Sequence, residues 1–171
     1  MSPDTLVIEE AGPCDAVALA RLINVAYRVE DFFKAADRTS LDEVRELLER
    51  ETFLVAREAD GSIVGCVRVA AEPPEGHFGM LAVDPEAQGT GLGRRLVAAA
   101  EARARRAGCS RMSLEVASPR AELPGYYARL GYRVTGAKPW PAEALHELKA
   151  PAHFIVMSKS LGDDPAEERD G

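Results

Sequence analysis

Between Ala82 and Glu101 the chain reads AVDPEAQGTGLGRRLVAAAE, which sets Gly89, Gly91 and Gly93 directly ahead of an alanine-rich helix that opens with Arg94 and Arg95. The start of a helix is already positive, because its first N–H groups lack intrahelical acceptors and the peptide dipoles add up there. Acidic residues therefore normally occupy the first turn. Two arginines in that place make electrostatic sense when an anion sits at the helix start, and glycines let backbone amides come within hydrogen-bonding distance of it. A phosphate or pyrophosphate is the ligand this pattern describes; an ordinary glycine-rich turn with solvated arginines is the alternative. Nucleotide templates fail on spacing. No Lys-Ser or Lys-Thr follows the glycines as a P-loop requires, and Arg94 or Leu96 stands where a dinucleotide fingerprint needs its last glycine. The stretch also follows a fourth strand-like run rather than opening a first β-α-β unit.

The elements that must position this loop are legible from periodicity and punctuation. Thr5 to Glu9 is a short β-branched run, followed by Gly12-Pro13 and by Asp15, the expected N-cap of a helix whose apolar positions are Val17, Leu19, Leu22, Ile23 and Ala26. SLDEVRELLER, from Ser40, reads as a second helix, with Ser40 and Glu43 at capping-box spacing. Phe53 to Arg57 and Ile63 to Ala71 form a predicted hairpin across Asp60-Gly61, and His77 to Val83 is the next strand. The helix after the glycines runs to about Ala107 and stops at Gly108. Arg111 to Val116 is a strand, Pro124 to Leu130 a short helix ended by Gly131, and Tyr132 to Thr135 and His153 to Lys159 are closing strands. The order β-α-α-β-β-β-α-β-α-β-β belongs to a mixed α/β or α+β domain.

Composition narrows the class. With 171 residues, 46% hydrophobic and 29% charged, the chain supports one domain, expected over residues 1–161, with an acidic tail at 162–171 expected to be disordered. A net charge of -7 argues against a phosphodiester-binding face, so no nucleic-acid partner is expected. Cys14, Cys66 and Cys109 are odd in number and lack metal or disulfide spacing, the opening residues lack a signal-peptide pattern, and no apolar run approaches the roughly 20 residues of a membrane helix. The expectation is a soluble cytoplasmic protein without a metal or a membrane partner.

Gln88, Gly89, Thr90, Gly91, Leu92 and Gly93 spell Q-x-x-G-x-G after the strand GMLAVDP, and GYYARLGYRVTG, Gly125 to Gly136, carries Y-x-x-L-G-[FY] downstream. Together they resemble the two hallmarks of the Gcn5-related N-acetyltransferases, the GNAT family, and the element order matches from about Thr5 to Leu161. The resemblance implies a mostly antiparallel sheet of about seven strands flanked by about four helices. It also implies an acyl-CoA-dependent N-acetyltransferase, in which an amine attacks the thioester of acetyl-CoA directly. A homodimer is common among such folds, although no interface is singled out here. The alternative on the same fold is a non-catalytic acyl-CoA-binding or sensing module.

Residue by residue, the resemblance gives Gln88 through Arg94 the pyrophosphate of coenzyme A. It gives the backbone of Leu81, Ala82 and Val83 the pantetheine arm and an N–H to the thioester oxygen, an oxyanion donor; their side chains also suit core packing. Tyr127 takes the position of the proton donor to the departing thiolate. On reference values near pKa 10 and 8.5 that transfer is uphill by about 2 kcal/mol. His77, eleven positions before Gln88, takes the position of a base on the fourth strand, with Glu72, Glu115 and Glu30 as further candidates. Arg120 departs from the asparagine often found seven residues before the tyrosine. The acceptor wall falls to Ala26 through Ser40, where Tyr27, Phe32 and Phe33 supply apolar surface and Glu30 and Asp31 suit an ammonium; core packing of the aromatics is the alternative. Trp140, in the connection Lys138 to Pro151, is placed to form the opposite wall.

Overall fold

A computed structural model describes residues 5–162; the tail expected to be disordered lies almost entirely outside them. Seven strands form one sheet: β1 (Val7–Glu10), β2 (Thr52–Arg57), β3 (Ile63–Glu72), β4 (Glu75–Val83), β5 (Arg111–Ala117), β6 (Arg133–Pro139) and β7 (His153–Ser160). Their order across the sheet is β1-β2-β3-β4-β5-β7-β6, and every pairing is antiparallel except β4 with β5. The helices are α1 (Ala16–Ala26), α2 (Leu41–Arg50), α3 (Leu92–Arg106) and α4 (Leu123–Arg129).

Alternation along β2 explains the layering. Leu54 and Ala56 face a core built on α3 with Leu92, Leu96, Val97 and Ala100, whereas Phe53 and Val55 face a second core with Leu19 and Ile23 of α1 and Val44 and Leu47 of α2. Both faces of the central strands are thus buried, and side-chain period alone assigns each residue to one layer. Leu96 has no exposed surface, and a Cβ on Gly65 of β3 would stand 2.9 Å from its Cδ1. The missing side chain at Gly65 is what lets α3 lie close on the sheet.

Three local expectations are corrected. Asp15 precedes α1, but its carboxylate caps nothing there; it accepts from the Gly12 amide (2.9 Å) and pairs with Arg57 (2.7 Å), a charged partner that outcompetes a helix amide. Ser40 does cap α2, accepting from the Glu43 amide at 3.1 Å, yet Glu43 accepts from the Thr39 hydroxyl instead of completing the box. Strand β6 runs on to Pro139, well past Thr135, because β7 pairs with it throughout, while Tyr132 stays outside the strand and donates its buried hydroxyl to Glu101 (2.7 Å). Replacing Leu96 by alanine is expected to cost about 2–5 kcal/mol, read as a lowered midpoint at unchanged slope in urea unfolding.

Candidate active site

Strands β4 and β5 part company early. Their parallel pairing covers only Glu75 with Arg111, Gly76 with Met112 and His77 with Ser113. Beyond that point the β5-facing edge of β4 has no strand partner, so its backbone polar groups open onto a cleft. A bulge on the opposite, β3-facing edge shapes the same strand: β3 pairs Cys66 with Ala82 and Arg68 with Gly79, one extra β4 residue lies between, and Met80 has φ 50°. The bulge resets the alternation. Phe78 packs in the α3 core, Met80 and Ala82 in the α1–α2 core, and Leu81 and Val83 back against the α3 core.

The loop from β4 to α3 is held from within. Asp84 accepts from the Glu86 amide (2.9 Å), and Thr90 donates its hydroxyl to the Ala87 carbonyl (2.7 Å). Gly89 and Gly91 both sit at φ 81°, a region L side chains rarely enter. Gly93 serves a different purpose, since a Cβ there would lie 3.2 Å from the Tyr126 hydroxyl. No side chain caps α3, and Arg95 donates to the Gly91 carbonyl, which leaves the amides ahead of it as the helix's unmet donors. Val83, Gln88, Gly89, Gly91, Gly93 and Arg94 line one end of a cavity of about 630 Å³, and Ala82 and Leu92 also border it. Thr90 and Arg95 do not line it; Thr90's side chain is turned back into the loop.

A second cavity of about 660 Å³ lies on the other side of the cleft and shares Tyr27, Glu30, Leu81, Glu115, Ala117 and Tyr127 with the first. Tyr127 is therefore at the seam. Its ring packs edge-on against Tyr126 (5.1 Å) and tilted against Phe78 (6.0 Å), and α4 is held there by the buried contacts of its partner Tyr132. His77 lines the second cavity, as do Trp140, stacked on Phe154 at 4.4 Å, and Arg68.

A sequence model of the Acetyltransferase (GNAT) family matches residues 18–132. The chain belongs to the GNAT family of acetyltransferases. It is similar to blasticidin-S acetyltransferase of Streptomyces morookaense, 36% identical over 126 residues that cover 72% of this chain and 88% of that one. It is 29% identical to the peptidyl-lysine N-acetyltransferase YjaB of Escherichia coli over 119 residues, 65% of this chain and 75% of that one. Its fold matches a solved structure of yncA from Salmonella typhimurium with its cofactor acetyl-CoA, at TM-score 0.71 and 22% identity, covering 93% and 95% of the two chains. The protein is thus an N-acetyltransferase, and acetyl-CoA is its acetyl donor. The first cavity fits that donor: uncapped amides, two left-handed glycines and Arg94 stand at one end, and the unpaired β4 edge runs from there to Tyr127.

Around the GNAT cleft the titrating groups are set by burial. Burial raises the Tyr127 phenol well above its ordinary value, with Tyr27 and Tyr126 adding to the effect, so it stays protonated at neutral pH. Burial lowers the His77 imidazole, and the Arg68 guanidinium lowers it further. His77 Nδ1 lies 3.3 Å from Ser113 Oγ, which also reaches the Gly76 carbonyl at 3.4 Å. When the single Ser113 hydrogen goes to that carbonyl, Nδ1 carries the imidazole proton and Nε2 keeps its lone pair.

The other residues singled out from sequence are scattered. Glu30 is buried and borders both cavities, but its carboxylate is held by Arg120 at 3.1 Å and is not left for an ammonium. Asp31 lines neither cavity. Phe32 is 63% exposed and Phe33 is buried against Trp140, so neither supplies cavity surface. Glu72 lines neither cavity, whereas Glu115 borders both while paired with Lys138 (2.7 Å). Lys34, Arg38 and Arg68 of the second cavity were missed; a lone arginine inside the apolar run IVGCVRVA was the available signal for the last. His77 is expected to titrate below 6.5 by nitrogen-edited NMR, and Arg68→Gln to move that midpoint upward. Because the unfolded chain takes up the His77 proton first, this group's contribution to stability is lost as pH falls below about 6.5, and His77→Gln should soften that acid loss.

Proposed function

We propose that this GNAT acetyltransferase transfers the acetyl group to a primary amine of a small-molecule acceptor by direct attack, with Tyr127 as proton donor and His77 as base. One observation carries this reading: Tyr127 and Leu81 line both cavities, so the donor side and the acceptor side meet at a protonated phenol and an unpaired strand edge. The donor supplies an acyl group activated as a thioester. In this assignment the amides of the Gln88–Arg94 loop, including Gly89, Gly91 and Gly93, hold the pyrophosphate, with Thr90 bracing the loop and Leu92 beginning the helix. The Leu81–Val83 backbone orients the arm and offers an N–H where negative charge develops on oxygen.

On the acceptor side, His77 is neutral near pH 7 because burial and Arg68 oppose its charge, and a neutral imidazole takes a proton from an ammonium directly or through water. Tyr127 delivers a proton to the departing sulfur; a buried thiolate is the stronger base, which offsets the phenol's own high pKa. No side chain needs to carry the acetyl group. A small acceptor is favoured because the second cavity is walled by both the Tyr27–Ser40 segment and the Trp140–Glu147 connection. Blasticidin-S, named for one relative, is consistent with that size class. The unbridged cysteines Cys14, Cys66 and Cys109 suit a reducing cytoplasm.

Tyr127→Phe is expected to lower kcat about 100-fold or more, while the Kd for coenzyme A by calorimetry stays within about twofold; an unchanged kcat with chemistry rate-limiting removes Tyr127 from the mechanism. Gly91→Asp, which adds a negative side chain at the loop, is expected to weaken coenzyme A binding by about 100-fold in a protein that still folds, its thermal midpoint lowered by the strain of a side chain at φ 81°. In wild type, kcat/KM should fall as pH drops through a midpoint below 6.5, and His77→Gln should abolish that limb. Binding of acetyl-CoA without thiol release for any amine would favour the non-catalytic module instead.

A further inference from the structure

The second cavity holds more unmet cationic hydrogen-bonding capacity than a plain amine would use. Arg68 stands on β3 opposite Gly79, and its guanidinium crosses the face of β4 there: a Cβ at Gly79 would lie 2.6 Å from Nη2. Glu51 holds Nη1 at 2.6 Å. Among the described residues, Arg68 Nε is the one buried side-chain polar atom without a hydrogen-bond partner, and leaving such a donor unmet costs about 1–3 kcal/mol. Lys34 reaches the same cavity and is only 8% exposed. None of the described carboxylates forms an ion pair with it; Glu30, Glu147 and Glu43 act on it only from farther away, and burial together with Arg38 outweighs them. A buried ammonium without a close counter-ion is costly unless a bound anion supplies one.

The carboxylates of this cavity do not fill that need. Glu30 and Glu115 are already paired with Arg120 and Lys138, Glu43 accepts from Thr39, Asp37 and Glu43 are exposed, and half-buried Glu147 acts on Lys34 only from a distance, less than burial does. Asp37, Glu43 and Glu115 thus stand toward solvent and buried Glu30 is tied to Arg120, which leaves Lys34 and Arg68 as the inner cations without a close cavity carboxylate. We infer that the acceptor is a small amino carboxylate, whose carboxylate is held by Arg68 and Lys34 while its amine is presented at the seam beside His77 and Tyr127. A guanidinium fork matches a carboxylate in shape as well as charge, which an ammonium alone does not. The inference rests on the proposed acetyl transfer to a primary amine, because it assigns the rest of the same acceptor.

Common amino acids, each matched with its carboxamide, test this in a thiol-release assay with acetyl-CoA. The best amino acid should exceed its carboxamide at least about tenfold in kcat/KM, and Arg68→Met should erase that preference through KM rather than kcat. Arg68→Lys, which keeps the charge and loses the fork, should restore part of it. Gly79→Ala should lower the preference as well, by displacing a guanidinium that is still present. Carboxamides used as well as their amino acids, or an Arg68→Met enzyme that keeps the preference, would overturn the inference. Titrating the same pairs into the coenzyme A-bound protein, with the His77 ring resonances as readout, decides it without turnover. Tighter binding of amino acids with no thiol release would uphold the carboxylate site and refute the transfer reading; equal binding of each pair would refute the site.

Discussion

Strands in a sheet hold one another by backbone hydrogen bonds, and β4 gives up one of its two partners after its first three residues. After His77 and Ser113 the two parallel strands diverge, and the remaining β4 edge can be satisfied only by something that enters between them. Everything else in the fold either maintains that divergence or furnishes its walls. Helix α3 pins β3 and β4 from one side through Leu92 and Leu96, α1 and α2 pin them from the other, and α4 brings Tyr127 to the point of opening. Filling the gap by continued β4–β5 pairing would close both cavities at once.

The bulge at Met80 makes the opening usable. Without an extra residue, β4 would keep one alternation throughout and Phe78, Met80 and Ala82 would share a face. With it, Phe78 supports Tyr127 from the α3 core, Met80 and Ala82 fill the α1–α2 core, and Gly79 is left facing Arg68. Burial at this junction then sets opposite protonation tendencies by a single cause. It keeps the Tyr127 phenol protonated and the His77 imidazole neutral, since a charge is disfavoured on either. Lys34 is disfavoured as a cation for the same reason.

Much of the fold was legible because it is written in short-range patterns. The strand and helix order, the Asp60-Gly61 hairpin and the stop at Gly108 each depend on a few neighbouring residues. Two errors arose where a distant partner competed with a local one, as Arg57 drew the Asp15 carboxylate away from helix capping and β7 drew β6 onward to Pro139; in the third, a neighbouring hydroxyl, that of Thr39, drew Glu43 from the box. The cavity walls failed in the same way. Phe32 and Phe33 are equivalent by sequence, yet one is on the surface and the other is buried against Trp140, and Glu30 met Arg120 from 90 residues away.

By itself the sequence determined the uncapped, glycine-led start of α3 and the tyrosine-bearing helix, since a positive φ, an amide without an acceptor and a helix stop are properties of consecutive residues. Tertiary structure alone decided what those elements face. The parting of β4 from β5 is a matter of sheet register, and Lys34, Arg68, His77 and Trp140 share one cavity although they come from four separate segments of the chain. Proximity of that kind is created only when the layers pack, because the energy that brings such residues together is spread over the buried cores, of which Trp140 alone among the four is a part.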